Sequence, residues 1–387
     1  MVTLETADKA LKQVYLGVVA DQLNIGVNPF FAKVKQTSSD VWGKEIIKLV
    51  PYGVNGGIGA GTETGDLPVA APNNYDRFRL ELKNLYGTIE LSDKAIRASQ
   101  SSAGAFVNLL NAEMDGLLKA SKFNLNRMMY GDGSGVLATC KTSGSTGTTI
   151  AVDSVRNLME GMVVDYYDTA EAPTPSHKNM RILAVDRVAN KITVDKADGL
   201  TAADNAVLCV QGSRNNEITG LGAIFSDKDL YGLSRSQRTW MQPYQGTMGP
   251  EFSMLKMQDA IDKVEEVAGS EINFIMASYN ARRKFIEECN ATRVNFNYMN
   301  LDGGFKAVAY NGIPVVADRF IANDTMYLLN SNDFCLHQLC DWRWLEGDGG
   351  QVIKQKAGSA TYTATLVKYA DMICDRPIGQ AKISGIN

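Results

Sequence analysis

Histidine is nearly missing from this chain: His177 and His337 are the 2 that occur in 387 residues. A histidine-built metal cluster is thereby nearly excluded, because zinc sites draw several such ligands together. The 6 cysteines, Cys140, Cys209, Cys289, Cys335, Cys340 and Cys374, include no CxxC pair. Neither a zinc knuckle nor a dithiol redox pair is indicated, and scattered single thiols fit a reducing compartment. No cationic excess exists either; the formal net charge is -4. That disfavours gripping nucleic acid through a basic surface, although a mildly acidic protein can enclose DNA without holding it. No apolar run approaches the roughly 20 residues of a membrane span. The opening MVTLETADKALKQ is charged where a signal peptide is apolar. The expectation is a soluble protein made in the cytosol, with no membrane partner.

What is present is a core-forming composition. Hydrophobic residues make up 45% of the chain, which argues against large-scale disorder and allows roughly two to four domains. Leu11, Val14, Tyr15, Val18, Val19 and Leu23 recur at helical spacing over 6–23, a lone amphipathic helix followed by a flexible arm through Asn28 and Pro29. Over 44–90 the pattern changes. KEIIKLVPYGV reads as a strand, GVNGGIGAGTETG brings Gly53, Gly56, Gly57, Gly59, Gly61 and Gly65, and RFRLELKNLYGTIELS alternates as one half-exposed strand. This is an extended hairpin with too little apolar content for its own core, so it needs another surface to lie on.

Residues 101–130 carry the strongest helical period, through Phe106, Leu110, Met114, Leu117, Leu125 and Met128. Ser101 or Ser102 can cap its start, Gly131 fits a left-handed end, and thirty residues give a rod of roughly 45 Å. LATCKTSGSTGTTI (137–150) reads as a linker. MVVDYYD, MRILAVDRV, KITVDKADGL and AVLCVQGS then read as short strands of a small β-barrel ending near Gly220, Leu221 and Gly222. A helix over 252–268 stops at Gly269, and the strand INFIMAS follows. Ser278 caps a second helix running to about Cys289. GFKAVAYNGIPVVADRF, DTMYLLN and ATYTATLVKYADMICDR are strand-like.

None of the motifs proposes a reaction. GIGAGTETG (57–65) lacks the helix start that holds phosphate: DLPVAAPNNY follows, with two prolines, and leads into a strand. A nucleotide-binding enzyme using 53–65 is the remote alternative, and it requires a helix directly after Gly65. GDGSG (131–135) has Ser134 off centre for a hydrolase elbow and reads as a helix stop and turn. Asp195, Asp198 and Asp204 with Gly199 depart from calcium-loop spacing and read as turn formers. Cys335, His337 and Cys340 alternate along a strand and lack a fourth ligand. Trp240, Trp342 and Trp344 have no basic groove for base stacking and read as core or interface packing. The pairs Glu265 and Glu266, and Glu287 and Glu288, read as solvated helix faces. No catalytic, cofactor-binding or metal-binding residue is named.

The order of parts resembles the tailed-bacteriophage major capsid protein family, with the Hong Kong 97-type capsid fold that is shared with encapsulins. The residues that carry the resemblance are 126–135 (NRMMYGDGSG), 311–315 (NGIPV) and 371–384 (DMICDRPIGQAKIS), in this order behind an arm and a glycine-tipped hairpin. The implied fold is α+β. It would comprise an N-terminal arm (1–43), an extended hairpin loop (44–90), a peripheral domain with the spine helix (91–136 and 351–387), an inserted small β-barrel (137–225) and an axial domain (226–350). Inter-subunit contacts would fall to Gly56, Gly57, Gly59, Gly61, Glu63, Arg77, Arg79, Trp342 and Trp344. The implied role is non-enzymatic: a major head protein assembling from pentamers and hexamers into an icosahedral or prolate shell around phage double-stranded DNA. It would act in the virion and assemble in the bacterial cytoplasm with a portal protein. The family's long charged leader segment is not seen, so a separate scaffolding protein is expected. No lysine lies between Pro51 and Asn74, so no lysine–asparagine crosslink from the loop tip is expected. An encapsulin-like compartment is the alternative within the same fold.

Overall fold

The computed structural model describes residues 28–39, 41, 45–94, 103–196, 200–249, 251–291, 298–300, 306–346 and 352–386. The helix expected over 6–23, the caps Ser101 and Ser102, and the loop residues Asp198 and Gly199 lie outside them. In chain order, α1 (Pro29–Lys33) starts at Asn28, whose Oδ1 accepts the Phe30 N–H at 2.8 Å. Then come β1 (Lys35–Thr37), β2 (Ile46–Tyr52), β3 (Asn74–Leu80), β4 (Lys83–Ser92) and the long α2 (Ala103–Met128). Six strands follow: β5 (Val136–Thr146), β6 (Thr149–Val152), β7 (Val163–Tyr167), β8 (His177–Asp186), β9 (Lys191–Val194) and β10 (Val207–Val210). After α3 (Leu221–Ile224) the chain makes β11 (Tyr244–Gly249), α4 (Met254–Ala268), β12 (Phe274–Ala277) and α5 (Tyr279–Ala291). It closes with β13 (Tyr298–Asn300), β14 (Lys306–Tyr310), β15 (Ile313–Ala317), β16 (Met326–Leu329), β17 (Phe334–Trp344), β18 (Lys354–Gln355), β19 (Thr361–Cys374) and β20 (Ala381–Ile386).

These strands make a hairpin, two sheets and a barrel. β2 and β3 pair only with each other. One sheet runs β1-β17-β19-β18, with β4 also on β19; a seven-stranded sheet runs β11-β20-β16-β12-β15-β14-β13. β10-β5-β6-β9-β8-β7 closes on itself as a barrel. The main core gathers Phe30, Phe78, Leu85, Ile89 and Leu366 with Met114, Leu118, Leu125 and Met128 of α2. A second core sits where α4 and α5 cover the seven-stranded sheet, around Met257, Ile261, Val264, Phe285, Ile275, Val315 and Ile383. The barrel has its own, around Tyr166, Ile150, Met180, Ile182 and Leu208.

Several local signals act as read. Gly269 ends α4 at φ 56°, and Ser278 Oγ accepts the Ala281 N–H at 3.0 Å to start α5. Another local signal went unread: inside the stretch read as strand-like, Asn311 and Gly312, at φ 47° and 83°, turn β14 into β15.

Four expectations need correction. Residues 77–92 are not one strand: β3 belongs to the hairpin and β4 to the sheet with β19. The buried positions are even in β3 (Phe78, Leu80) and odd in β4 (Leu85, Ile89, Leu91), so the alternation slips phase at Glu81 and Leu82. Residues 137–150 are not a linker but β5 and the start of β6, burying Leu137, Ala138, Cys140 and Ile150. Their threonines suit a strand, and Gly147, at φ 57°, makes the turn between them. Gly131 is not left-handed; its N–H donates to the Met128 carbonyl at 3.0 Å, and Gly133 and Gly135 take φ 80° and 79° instead. Finally, a boundary at 350 does not follow the sheets. β17 pairs with β19, whereas β20 joins the seven-stranded sheet between β11 and β16, because cross-strand pairing is decided by partners far apart in sequence.

Candidate assembly surface

The hairpin has two unlike faces. Its register places Ile46, Lys48, Val50 and Tyr52 beside Leu80, Phe78, Asp76 and Asn74, and sends Ile47, Leu49 and Pro51 with Arg79, Arg77 and Tyr75 to the opposite side. The first face is fastened to the body. Tyr52 stacks on Trp240 with centroids 5.1 Å apart and planes within 6°; Phe78 lies 6.0 Å from Trp240 and 5.0 Å from Tyr231. Lys48 Nζ donates to both Asp375 oxygens at 2.7 Å, and Arg238 Nε to Asp76 Oδ2 at 2.5 Å. Burial pushes the Asp76 carboxyl up, but the Arg238 guanidinium and the Arg77 N–H outweigh it, leaving the group below the usual carboxylate range.

Tyr231 fixes this cradle from beneath. It sits at φ 52° in the tight turn between Leu230 and Leu233. Its carbonyl accepts the Arg79 N–H at 2.9 Å, and its hydroxyl donates to the Met372 carbonyl at 3.2 Å and accepts the Cys374 N–H at 2.8 Å. Burial holds that phenol well above its ordinary pKa.

The other face and the tip lie in solvent. Ile47, Leu49 and Tyr75 are 52%, 57% and 54% exposed, and Val54, Ile58, Leu67 and Val69 are 79%, 81%, 90% and 87% exposed. No other stretch of the described residues concentrates exposed large hydrophobics this way. Burial of such surface is favourable by about 25 cal/mol per Å², so a cluster of this size on a free molecule is unusual.

The tip, 53–73, has no helix or strand. Its limbs lie close: a Cβ on Gly57 would stand 3.3 Å from Ala71 N, on Gly59 3.1 Å from Pro68 Cγ, on Gly56 3.4 Å from Ala71 Cβ. Asn55 ties them, Oδ1 accepting the Gly57 N–H at 2.8 Å and Nδ2 donating to Asn73 Oδ1 at 3.0 Å. Gly61 and Glu63 are exposed near the apex. Since 66–73 is irregular and runs straight into β3, the helix start that a phosphate loop requires is not there.

Of the residues named from the sequence, Gly56, Gly57, Gly59, Gly61, Glu63, Arg77 and Arg79 therefore sit together on the hairpin. Trp342 and Trp344 do not; at 5% and 3% exposure they pack in the chain's own main core. Trp240, half-buried, is the tryptophan at the hairpin root. Asp195 and Asp204 accept backbone N–H groups of Arg181 and Thr142 at 2.8 and 2.7 Å, as turn formers do. Among the described residues no group of three His, Cys, Asp or Glu side chains could hold a metal ion. No helix among them is long and apolar enough to cross a membrane.

Sequence reasoning missed the joint where the barrel meets the body. Arg127 near the end of α2 and Glu217 form a buried ion pair, with Nη1 donating to Oε2 at 2.8 Å. Beside it, the Leu221 and Gly222 N–H groups donate to the Met129 and Tyr130 carbonyls at 2.9 and 3.2 Å, covering the open end of the helix. Asp371 of β19 accepts from Thr219 N at 2.6 Å, Met372 N at 2.8 Å and Thr219 Oγ1 at 3.1 Å, and burial pushes its carboxyl up to about 6. Lys368 is fully buried, its ammonium donating to Gln338 Oε1 at 2.6 Å and Asp341 Oδ1 at 2.8 Å; burial lowers its pKa. A buried charge has no sequence mark until its partner is known, which is why none of these was found.

With the architecture in view, comparison with solved structures becomes decisive. The fold matches the capsid asymmetric unit of cyanophage A-1(L) over 95% of this chain and 92% of that one, with a TM-score of 0.56 at 12% identity. The chain has the Hong Kong 97-type capsid fold. The capsid of Myoviridae phage XM1 aligns at 7% identity and TM-score 0.48 over 93% and 92% of the two chains. The SrpI encapsulin complex of Synechococcus elongatus aligns at 10% identity and TM-score 0.47 over 96% and 95%. Scores at that level add no weight to the assignment. No protein-family model and no curated protein sequence matches the chain.

Proposed function

We propose that this capsid-fold chain is the major head protein of a tailed bacteriophage, a non-enzymatic subunit that self-assembles through intertwined contacts into a shell enclosing double-stranded DNA. The observation that carries the proposal is the hairpin: one face is bolted to the body by Trp240, Tyr231, Asp375 and Arg238, while the other presents Ile47, Leu49, Arg77 and Arg79 to whatever lies outside. A rigidly rooted, apolar projection is a liability in a monomer and a clasp in an assembly, where each weak contact is repeated around a closed symmetry.

In this reading 44–90 is the extended loop that lies over a neighbour. Gly56, Gly57, Gly59, Gly61, Glu63, Arg77 and Arg79 touch that neighbour. The long helix and the sheet around β19 form the peripheral domain, the seven-stranded sheet with α4 and α5 the axial domain, and the barrel over 136–210 an insertion between them. Pentamers and hexamers of the chain, a scaffolding protein and a portal protein are the partners, on the strength of the family resemblance. Packaged DNA would slide along a mildly acidic lining.

Light scattering of the chain with and without 54–68 tests the proposal. The full chain is expected to form particles of megadalton mass and the deletion variant to stay as folded monomers or single capsomers. Unchanged assembly without the tip would remove the main support.

A further inference from the structure

Asparagine followed by glycine occurs at two places in the chain, Asn55–Gly56 and Asn311–Gly312. This pair carries its own chemistry. With no side chain on the second residue, its backbone nitrogen can close on the asparagine side-chain carbon and expel ammonia. Both asparagines and both glycines are exposed, so access to water does not separate the two sites. Backbone geometry does. Asn311 and Gly312 hold φ 47° and 83° between Tyr310 and Ile313, which face each other in the ladder of β14 and β15. Ring closure needs the Gly312 nitrogen swung back onto the Asn311 side chain, and that rotation would undo the left-handed turn and the ladder behind it. Asn311 Nδ2 also donates to Gln258 Oε1 at 3.5 Å.

Asn55 stands in the tip, 53–73, where no ladder holds the chain. Its φ is not positive, and Gly53, Gly56 and Gly57 around it leave the backbone free to turn. The side chain is already set for attack. Its Oδ1 accepts the Gly57 N–H at 2.8 Å, which curls the side chain toward the following backbone and puts a donor on the oxygen where negative charge develops. The other end of the amide, Nδ2, donates to Asn73 Oδ1 at 3.0 Å, and Asn73 Nδ2 in turn donates to the Tyr75 hydroxyl at 3.2 Å. That chain of bonds clasps the two limbs, and it depends on the Asn55 side chain being an amide. A carboxylate there has no donor to offer Asn73. The tip also carries Glu63 and Asp66 and no lysine or arginine, so a new negative charge meets no cation.

We propose that Asn55–Gly56 is a self-modifying site, where spontaneous deamidation turns the amide clasp of the hairpin tip into a carboxylate and loosens its limbs. The Gly56 nitrogen, its proton lost to hydroxide, attacks Asn55 Cγ. A Cγ–N bond forms, the Cγ–Nδ2 bond breaks, and ammonia leaves with a proton taken from water. A second water then opens the succinimide at either carbonyl, giving aspartate or isoaspartate at position 55. Water is the sole co-reactant, and the proposal stands apart from the shell reading.

Peptide mass mapping tests it, on the full chain aged at mildly alkaline pH and kept dilute so that no particles form. In the folded chain Asn55 is expected to convert about tenfold faster than Asn311 or more. Aged in urea, where the turn is gone, the two should convert at similar rates. Gly56→Ala places a Cβ 3.4 Å from Ala71 Cβ, an ordinary contact, and should slow conversion of Asn55 about tenfold with wild-type circular dichroism. Asn55→Asp puts the product in place and should be cut by protease within 53–73 several-fold faster than fresh wild type. If Gly56→Ala does not fold, the contrast with Asn311 decides alone. Folded Asn55 converting no faster than folded Asn311, or conversion unchanged in a folded Gly56→Ala chain, would overturn the site. Cleavage of Asn55→Asp at the wild-type rate would overturn the loosening.

Discussion

Arg127 and Glu217, 90 positions apart, meet as an ion pair with 3% and 2% of their side chains exposed. The pair ties the foot of α2 to the irregular segment returning from the barrel. Its attraction is offset by the loss of hydration of both groups, so its presence says little about net stability. Removing one partner is another matter, since an uncompensated buried charge costs about 3–5 kcal/mol. Glu217→Ala is expected to lower unfolding free energy by that amount in urea titrations. Arg127→Met with Glu217→Leu should recover most of it.

Gly220 and Gly116 predict opposite outcomes for the same substitution. A Cβ on Gly220 would stand 2.3 Å from the Met128 carbonyl oxygen and 2.5 Å from that of Gly131, both fixed backbone. Gly220→Ala is expected to yield no soluble folded protein. Gly116, inside α2, has nothing within 4 Å of the same position, and Gly116→Ala should stabilise by about 1 kcal/mol through helix propensity. Thermal unfolding of the two variants checks both.

Asp371 gives a pH dependence with a definite sign. Its carboxyl is pushed up to about 6 by burial, against an ordinary 3.8. The folded state then holds the proton more tightly than the unfolded state. The associated stability is complete below about pH 4 and is lost as pH rises through about 6, by roughly 3 kcal/mol at 1.36 kcal/mol per pKa unit. Asp371→Asn keeps an acceptor for Thr219 N and has no proton to lose. Stability of the wild type minus that of the Asn variant should therefore fall between about pH 4 and pH 6. A flat difference would show that Asp371 is ionised at its ordinary pKa.

Trp240 should matter more to the hairpin than to the fold. Aromatic pairs such as Trp240 with Tyr52 add about 0.5–1.5 kcal/mol beyond area burial. Trp240→Ala is expected to leave the unfolding midpoint within a few degrees of wild type, a shift of about 1 kcal/mol, while protease cleavage within 53–73 accelerates several-fold. Equal cleavage rates would mean that Lys48 and Arg238 hold the hairpin unaided.

How much of this was legible in the sequence depended on whether a signal was local. Gly269 and Ser278 each act through residues a few positions away, and each could be read; the Asn311–Gly312 turn was as local but was passed over inside a strand-like stretch. The apolar period of α2 was equally plain. The phase slip at Glu81 and Leu82 was also present in the sequence, but alternation across it is interrupted for only two residues and two strands read as one. Composition misled at 137–150, where serine, threonine and glycine suggested a linker and cross-strand burial of Leu137, Cys140 and Ile150 made strands. What could not be read was pairing at a distance: β17 with β19, β20 inserted between β11 and β16, Glu217 with Arg127, Thr219 with Asp371. The hairpin itself could be read because a glycine-rich tip is local. Trp342 and Trp344, read as core or interface packing and named among the inter-subunit residues, lie at 5% and 3% exposure in the chain's own main core.

Cryo-electron microscopy of the purified chain, expressed alone and with a scaffolding partner, tests the central claim most directly. The account predicts closed shells with five-fold vertices, in which the solvent-facing side of β2 and β3 and the tip 53–73 of each subunit contact the next. Monodisperse monomers under every condition, or shells in which that face and tip touch no neighbour, would contradict it.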